Sequence, residues 1–591
     1  MYLRKIRRRK DGKAHWYWAL VQSVRVNGKV RQRTVAYLGD LADEEATGWE
    51  HLVRRQKGRP LYEPDLVSVP KRPAKPVEIF PDRMRAERVR HFGDAFVGLA
   101  LWRYVGLDRF FADRMAPGRE AIAWATMVAY AAVARFCEPT SELATAEKFT
   151  DASALADLVG VDSLAINDDR LYRTLDQALK HKEALASHLR DAYAGLFGTD
   201  YDLLLYDLTS TYFEGEAAGI PQARYGYSRD KRSDCKQVII ALVVTREGLP
   251  LDFEIFDGNR HDHQTLQQIV ETVESKFGRA GRIWVMDRGL STEANLSWLR
   301  GRDGFYLVGT PKAMLRKFEQ PLLEASWKEI RDGLDVALLQ APDGSQEIFV
   351  LCRSRDRVEK ERAMLTRFAN RIEAGLKKIA TACQRKRAPL RDRLELGKRL
   401  GALVKANCRA SRLFETRVEE LPHRRLHLSW NRKSPDGTSW AERTAGHYLL
   451  RAHVGNHLTP DQFWQAYIQL TRIEEEFRKF KSNLAVRPIF HKTQPRVHAH
   501  IFVSFLSLVL LQTFEQHLDN SGLGRSPKKV LAELHDWTSM DIFLPTTDGL
   551  ELHRRIIAEP DPALKALLEH LRIRPPKTFP VPPNVVEKTP S

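Results

Sequence analysis

The order of apolar and polar positions changes character several times along the chain. Residues His15–Val26 and Lys29–Leu38 are two β-type runs separated by Asn27-Gly28, the dipeptide that best signals a tight hairpin. Residues 59–81 carry Pro60, Pro64, Pro70, Pro73, Pro76 and Pro81, the composition of an extended linker. Between Asp94 and Leu196 apolar residues recur at helical spacing, as in Phe96, Leu99 and Trp102. Asn167, ahead of Asp168-Asp169, has the chemistry of a helix start. From Asp202 the texture turns to strands. Leu203–Asp207 is an apolar run, and Gln237–Thr245 and Leu249–Phe256 form a pair joined by Arg246-Glu247-Gly248. A helix follows over Thr265–Phe277, a short buried strand over Arg282–Asp287, a helix over Thr292–Arg300 and a strand over Gly304–Thr310. That order, β-β-β-α-β-α-β, predicts a mixed sheet with helices packed on it.

The pattern then breaks. Leu334–Gln340 and Glu347–Arg353, around Pro342-Asp343-Gly344, predict a hairpin, and Arg357 to Phe414 is a long, strongly basic helical stretch. Arg425–Trp430 and His447–Arg451 are further short strands, and helix resumes at Asp461 and continues with breaks to about His517. The Pro-rich tail from Pro575 is expected to be disordered. Within Tyr467–Leu484, Leu470, Ile473, Phe477, Phe480 and Leu484 step by 3, 4, 3, 4, which predicts an amphipathic helix packed by that stripe. At about 100° per residue, Tyr467, Glu474 and Lys481 form one row bordering the stripe, while Glu475 and Glu476 turn toward solvent.

Charge narrows the class of partner. The 591 residues carry a net charge of +18, which makes a polyanion the leading partner. With 43% hydrophobic and 29% charged residues, wholesale disorder is excluded. The longest apolar run, Ile501–Leu511, is shorter than the roughly 20 residues of a bilayer span, and no secretory apolar region follows MYLRKIRRRKDGK. No membrane association is expected. The five cysteines are scattered without a C-x-x-C pair, which argues against a zinc site or a disulfide framework and suits a reducing cytoplasm.

Three acids stand out by their settings. Asp207 closes the run LLLYD and Asp287 closes IWVMD, and the carboxyl end of a buried strand is where open α/β sheets place their sites. A turn or cap aspartate is the plainer reading of either one alone. Glu474, on the edge of a docked helix, could reach over strand ends. Three carboxylates amid basic charge are what phosphoryl transfer by two divalent ions requires, because Mg²⁺ takes hard oxygen ligands. His261-Asp262-His263 has no HExxH pattern or cysteine partners and is read as a loop.

At these residues the chain resembles the DDE transposases of bacterial insertion sequences, in the broad fourth insertion-sequence family and close to the group typified by insertion sequence 1634. The family's hallmark, Tyr-x2-Arg-x3-Glu-x6-Lys, reads here as Tyr467, Leu470, Glu474 and Lys481 with the spacing intact. Also family-like are YDLTSTYFEG around Asp207, GYSRDKRSD at 226–234, VMDRGLSTEANL around Asp287, RPIFH at 487–491 and GKVRQRTVAYLG near the N-terminus. Leu470 replaces the hallmark arginine, so that phosphate contact is absent or falls to a neighbour such as Arg472 or Arg478.

The resemblance implies a mixed α/β fold. An RNase H-like core would be interrupted by a mainly β insertion with a basic helical elaboration, and preceded by a β-hairpin region and a helical domain. The divisions expected are a basic hairpin region at 1–55, a linker at 56–84 and a helical, DNA-binding domain at 85–198. The core would occupy 199–315 and 459–518 around an insertion at 316–458, with a helical region and disordered tail at 519–591. Asp207, Asp287 and Glu474 would be the catalytic acids holding two Mg²⁺ ions, for which Mn²⁺ would substitute. Tyr467, Lys481 and Arg478 would contact DNA phosphates. The partner would be double-stranded DNA, as transposon ends and target, bound by a homodimer in a bacterial cytoplasm at the nucleoid. The activity implied is cleavage of an insertion sequence's ends and their joining to target DNA. The alternative is a catalytically defective or domesticated relative that only binds DNA.

Overall fold

In the computed structural model the described residues are 2–10, 13–26, 29–39, 77–199, 201, 203–261, 264–277, 283–286, 289–385, 390–422, 425–433, 440–454, 459–469, 477–522, 527–574 and 576. The chain divides into two compact units, one made of Met1–Val285 with Ile468–Ser591 and one of Met286–Tyr467.

The first unit opens with an antiparallel sheet of β1 (Tyr2–Lys10), β2 (Lys13–Val26) and β3 (Lys29–Gly39) in that order. Val26 stands opposite Lys29, as a hairpin closed by Asn27-Gly28 requires, although those two residues lie outside the described ones. The region holds three strands where two were expected, because YLRKIRRRK has no apolar alternation to announce β1. Residues 40–76, most of the expected linker, lie outside the described residues, as does nearly all of the tail from Pro575.

A second small sheet corrects two expectations. The helical region at 85–198 begins with a strand, β4 (Arg85–His91), and the C-terminal region at 519–591 contains the strands Thr538–Pro545 and Glu551–Ile557. Thr538–Pro545 pairs with both of the others, antiparallel. These strands escape an apolar pattern because their inner positions are ionic. Arg555 holds Asp541 with two hydrogen bonds (2.6 and 3.1 Å) and Asp157 at 2.8 Å, and Arg90 also pairs with Asp157. Buried charges persist only when paired in this way.

The larger sheet of this unit is built from β5 (Leu203–Tyr212), β6 (Gln237–Thr245), β7 (Pro250–Asp257) and β8 (Ile283–Met286), in the order β7-β6-β5-β8. The β5–β6 and β6–β7 pairs are antiparallel, and the helix Leu266–Phe277 joins β7 to β8. This is the mixed sheet with a helix between its strands that the order of apolar runs predicted. Every residue of β6 is buried, which accounts for the unbroken apolar run VIIALVV between Gln237 and Thr245.

The 27-residue helix Gln494–Asn520 is the centre of this unit. It packs on Trp124–Cys137, on Asp168–Ala178 and on β7, so the helical region at 85–198 shares its core with the sheet. Leu175 packs with Ala499 and Val503, and the Ser507 hydroxyl donates to the Ala132 carbonyl at 2.9 Å. The helix Asp168–Ala178 starts as expected, with the Asn167 side chain accepting from the Arg170 amide at 2.9 Å. By length and composition the central helix is long and apolar enough to cross a membrane, so the reading of Ile501–Leu511 as too short understated it. Its most apolar window is 94% buried inside the protein, and a helix apolar on every side is what the centre of a large core requires.

In the second unit, β9 (Phe305–Gly309) is followed by β10 (Lys328–Arg331), β11 (Leu334–Gln340) and β12 (Ile348–Ser354). Two helices, Arg355–Gln384 and Arg393–Ala406, then lead to a hairpin of β13 (Phe414–Leu421) and β14 (Arg425–Arg432) and on to β15 (His447–His453). The order β10-β11-β12-β15-β9 is antiparallel throughout. One apolar cluster, including Phe318, Phe349, Leu351 and Leu449, lies against this sheet. A separate one joins the two helices to β14 through Ile372, Leu376, Leu396, Leu426 and Leu428. A mainly β insertion with a basic helical elaboration is therefore present. Its sheet is pinned by Glu347, which accepts from both ends of the Arg451 guanidinium (2.8 and 2.6 Å), from Arg300 at 2.8 Å and from the Tyr306 hydroxyl.

Candidate active site

Asp207 lies in the middle of β5, opposite Leu242, and not at a strand end as its place in LLLYD suggested. The strand continues because Leu208-Thr209-Ser210-Thr211-Tyr212 is rich in β-branched and aromatic residues that suit a sheet. From Leu204 to Thr211 every residue is buried except Asp207, which is half-buried. The one carboxylate of the strand thus keeps access to solvent at an otherwise closed position.

Two further segments converge on the C-terminal half of β5. The stretch 226–234 is fastened to it by the Arg229 amide, which donates to the Ser210 hydroxyl at 3.2 Å. Its entry is tight: a Cβ on Gly226 would stand 2.1 Å from the Gly258 carbonyl oxygen, so only glycine fits. The stretch 487–491 runs beside the strand end, where Ile489 donates to the Tyr212 carbonyl (2.9 Å) and accepts from the Glu214 amide (3.0 Å).

Asp230 joins these pieces electrostatically. Its Oδ1 accepts from Lys481 at 2.8 Å and from Arg487, and its side chain is only 4% exposed. The other oxygen, Oδ2, is buried with no partner among the described residues. Burial lowers the Lys481 pKa from its ordinary value, and the Asp230 carboxylate partly offsets this. Arg487 also donates to Ser482 at 2.9 Å. Two cations and one carboxylate therefore leave a positive balance beside Asp207's strand.

The remaining expected residues are distributed as follows. Asp287 and Glu474 lie outside the described residues; β8 ends at Met286, immediately before the first of them. Leu470 is likewise outside, as are Asp262 and His263 of the His261 loop. Arg478 is exposed, and its neighbour Lys479 is buried in an ion pair with Glu515 of the central helix. Lys481 falls in a widened turn, Lys479–Asn483. Tyr467 closes the second unit on the helix Pro460–Ile468, where a Cβ on Gly309 would come within 2.5 Å of its hydroxyl. Asp207 and Lys481 are thus brought to one region of the first unit, and Tyr467 belongs to the other.

Four residues of this region had no role assigned from sequence. Asp230 and Arg487 lie in segments that were singled out, and an aspartate set among Arg229, Lys231 and Arg232 was a signal for a charge-pinning residue. Tyr225 and Tyr227, 62% and 88% exposed, flank the closely packed Gly226.

A second titratable cluster lies deeper in the same unit. Glu142, His491 and His500 offer ligand atoms within 4.8 Å of one another. Arg135, however, donates to Glu142 at 2.9 Å and lies 3.5 Å from His500, so a divalent cation there would meet a fixed positive charge. Burial, together with Arg135, pushes the His500 pKa down to about 4. Burial alone would raise Glu142, but hydrogen bonds from His491 and His500 and the charge of Arg135 hold it well below the usual carboxylate range. The cluster reads as a neutralised buried network. The half-buried carboxylate of Asp207 is the donor type that suits Mg²⁺.

Residues 3–64 match the family described as IS1634 family transposase, N-terminal domain, and residues 198–510 match the family described as Transposase DDE domain. No curated protein matches the sequence. Among solved structures, a piggyBac transposase synaptic complex with hairpin DNA is similar over 78% of this chain and 82% of that chain, at 8% identity and a TM-score of 0.33. A Mos1 transposase paired-end complex with left transposon end is similar over 33% and 60% respectively, at 12% identity and a TM-score of 0.14.

Proposed function

Because the chain belongs to the DDE transposases, within the IS1634 group, we propose that it cleaves the ends of an insertion sequence and joins them to target DNA by two-metal phosphoryl transfer. The observation that carries this reading is Asp207, the one residue between Leu204 and Thr211 that is not fully buried, on a strand whose C-terminal half is flanked by Lys481 and Arg487. Asp207 supplies hard carboxylate oxygens, and Asp287 and Glu474 are the two further acids of the set. Two Mg²⁺ ions held by these acids, or Mn²⁺ in their place, would activate the attacking oxygen and stabilise the leaving one. Lys481, Arg478 and Tyr467 hold phosphates of the element's end without reading its bases. The same acids would serve two successive displacements. Water first breaks a phosphodiester at the element's end, leaving a 3′-hydroxyl, and that hydroxyl then attacks a phosphodiester of the opposite strand or of target DNA. Paired ends call for a homodimer on double-stranded DNA, in a bacterial cytoplasm at the nucleoid.

The test is excision from a plasmid carrying the gene with its native flanking DNA. Asp207→Asn and Glu474→Gln should each reduce excision by at least about a thousandfold, a loss of roughly 4 kcal/mol of transition-state stabilisation, while binding of the flanks is retained. Excision by either variant at the wild-type rate would remove that acid from the site. Binding without excision by the wild type would instead favour a defective or domesticated relative.

A further inference from the structure

The 30-residue helix Arg355–Gln384 of the second unit is amphipathic in an unusual sense. Its core face carries Ala369, Ile372, Leu376, Ile379, Ala380 and Cys383, all buried in the cluster shared with Leu396 and β14. At about 100° per residue, Lys360, Arg367, Arg371 and Lys378 fall within roughly 40° of one another, on a line about 140° from the centre of that core face. All four are exposed, and none has an ion-pair partner among the described residues; Arg371 rests only on the ring of Phe368, 5.8 Å away. With about 1.5 Å of rise per residue, the line is about 27 Å long. Arg385, exposed and one residue past the helix's last, continues in the same direction.

Of the acids of this helix, Asp356 in the first turn lies about 40° from the line, one turn before Lys360, and the others are kept off it. Glu359, Glu361 and Glu373 project roughly 100° or more away from it. Glu361 is already paired with Lys312 at 2.8 Å, and Glu373 with Lys377 (3.0 Å) and Arg432 (3.1 Å). An ordinary solvated helix mixes its signs into i,i+4 pairs, as Arg399–Glu395 does on the neighbouring helix. Four like charges aligned with a single carboxylate, Asp356, at one end of the row repel one another, and that repulsion is relieved by a linear polyanion. Between the cations the face carries Ala363 and Ala374, both exposed and without hydrogen-bonding side chains, so contact would be to phosphates and not to base edges.

We propose that this face of Arg355–Gln384 is a docking surface for the phosphate backbone of double-stranded DNA, bound without regard to sequence, with Lys360, Arg367, Arg371 and Lys378 as its contacts. The inference rests on the transposase reading, which supplies duplex DNA as the polyanion, and adds to it a surface on the second unit. At about 3.4 Å per base pair, the line covers roughly eight base pairs.

The experiment uses the full chain and two 60-base-pair duplexes, one carrying the gene's own flanking DNA and one of unrelated sequence. A triple variant, Arg367→Gln, Arg371→Gln and Lys378→Gln, is compared with a control of equal charge loss, Arg362→Gln, Lys377→Gln and Arg399→Gln. Each phosphate contact contributes about 0.9 to the slope of log affinity against log salt. The stripe variant should therefore lose about 2–3 from that slope and at least about tenfold in affinity for both duplexes near 150 mM salt. Its hydroxyl-radical footprint on the flanking duplex should shorten by about eight base pairs. The control should stay within about twofold of wild type, and both variants should keep the wild-type melting temperature, because every altered side chain is exposed. Equal losses in the two variants, or no loss in the stripe variant while the wild type binds, would overturn the surface and leave the transposase reading intact. Wild type that binds neither duplex would overturn the transposase reading and the surface with it.

Discussion

Two long helices treat positive charge in opposite ways. Around Gln494–Asn520, in the first unit, cations are pinned: Lys479 by Glu515, Arg135 by Glu142, and Lys481 with Arg487 by Asp230. Along Arg355–Gln384, in the second unit, four aligned cations stand exposed with no such partner among the described residues. A buried charge is tolerable only when neutralised, so partners in the first unit are a condition of folding. An exposed charge needs no partner to be stable, so a row of them left bare reflects a use outside the fold. The lesson is that pairing, more than abundance, marks the cations whose neutralisation the fold itself requires.

The largest effect expected from this contrast is at Asp230. Asp230→Asn leaves Lys481 and Arg487 facing each other without a counter-charge and should lower unfolding free energy by about 3 kcal/mol, read from urea denaturation. A change under about 0.5 kcal/mol would mean that the pin is dispensable and would erase the distinction. His500 sharpens the comparison through pH. Its pKa is near 4 in the folded chain, held down first by burial, whereas an unfolded histidine titrates near 6.5. Between these values the unfolded chain binds the extra proton, so stability contributed by neutral His500 is present above about pH 6.5 and is lost as pH falls toward 4. The total is on the order of 3 kcal/mol, and thermal melts of His500→Gln should show a shallower acid slope than wild type. Parallel slopes would assign the acid sensitivity to other groups. The smallest effect belongs to the exposed side of the contrast. Lys377→Gln removes a solvent-screened i,i+4 pair with Glu373 and should change unfolding free energy by less than about 0.5 kcal/mol.

How much of this was legible beforehand follows from what holds each element. The order β5-β6-β7, helix, β8, helix, β9 could be read because those strands are built on apolar runs, and the hairpin β11–β12 because Pro342-Asp343-Gly344 separates two such runs. β4 and its partners could not, because Asp541, Arg555, Arg90 and Asp157 fill their interior with paired charge. β13 was hidden differently: FETRVEEL is half-buried at best along its whole length and packs only its edge into the helical cluster. Asp207 was singled out, but its setting was misjudged, since the apolar run ends before the strand does. Asp230 was passed over because its significance lies in contacts with Lys481 and Arg487, more than two hundred residues away, which no local pattern encodes.

The first unit is discontinuous, and this has a consequence in time. Its helices Trp124–Cys137 and Asp168–Ala178 are made early, yet the helix that covers them ends only at Asn520, with the whole of Met286–Tyr467 translated in between. At about 5–20 residues per second, the ribosome needs roughly 15–65 s to pass from Phe197 to Asn520. For that interval the nascent chain carries apolar helix surface with no core to enter, while the second unit, continuous in sequence, can already close. A chain that stops before Gln494 therefore ends as an uncovered half-core, a substrate for chaperones and proteases, so the unit's completion depends on about the last sixth of the polypeptide being made.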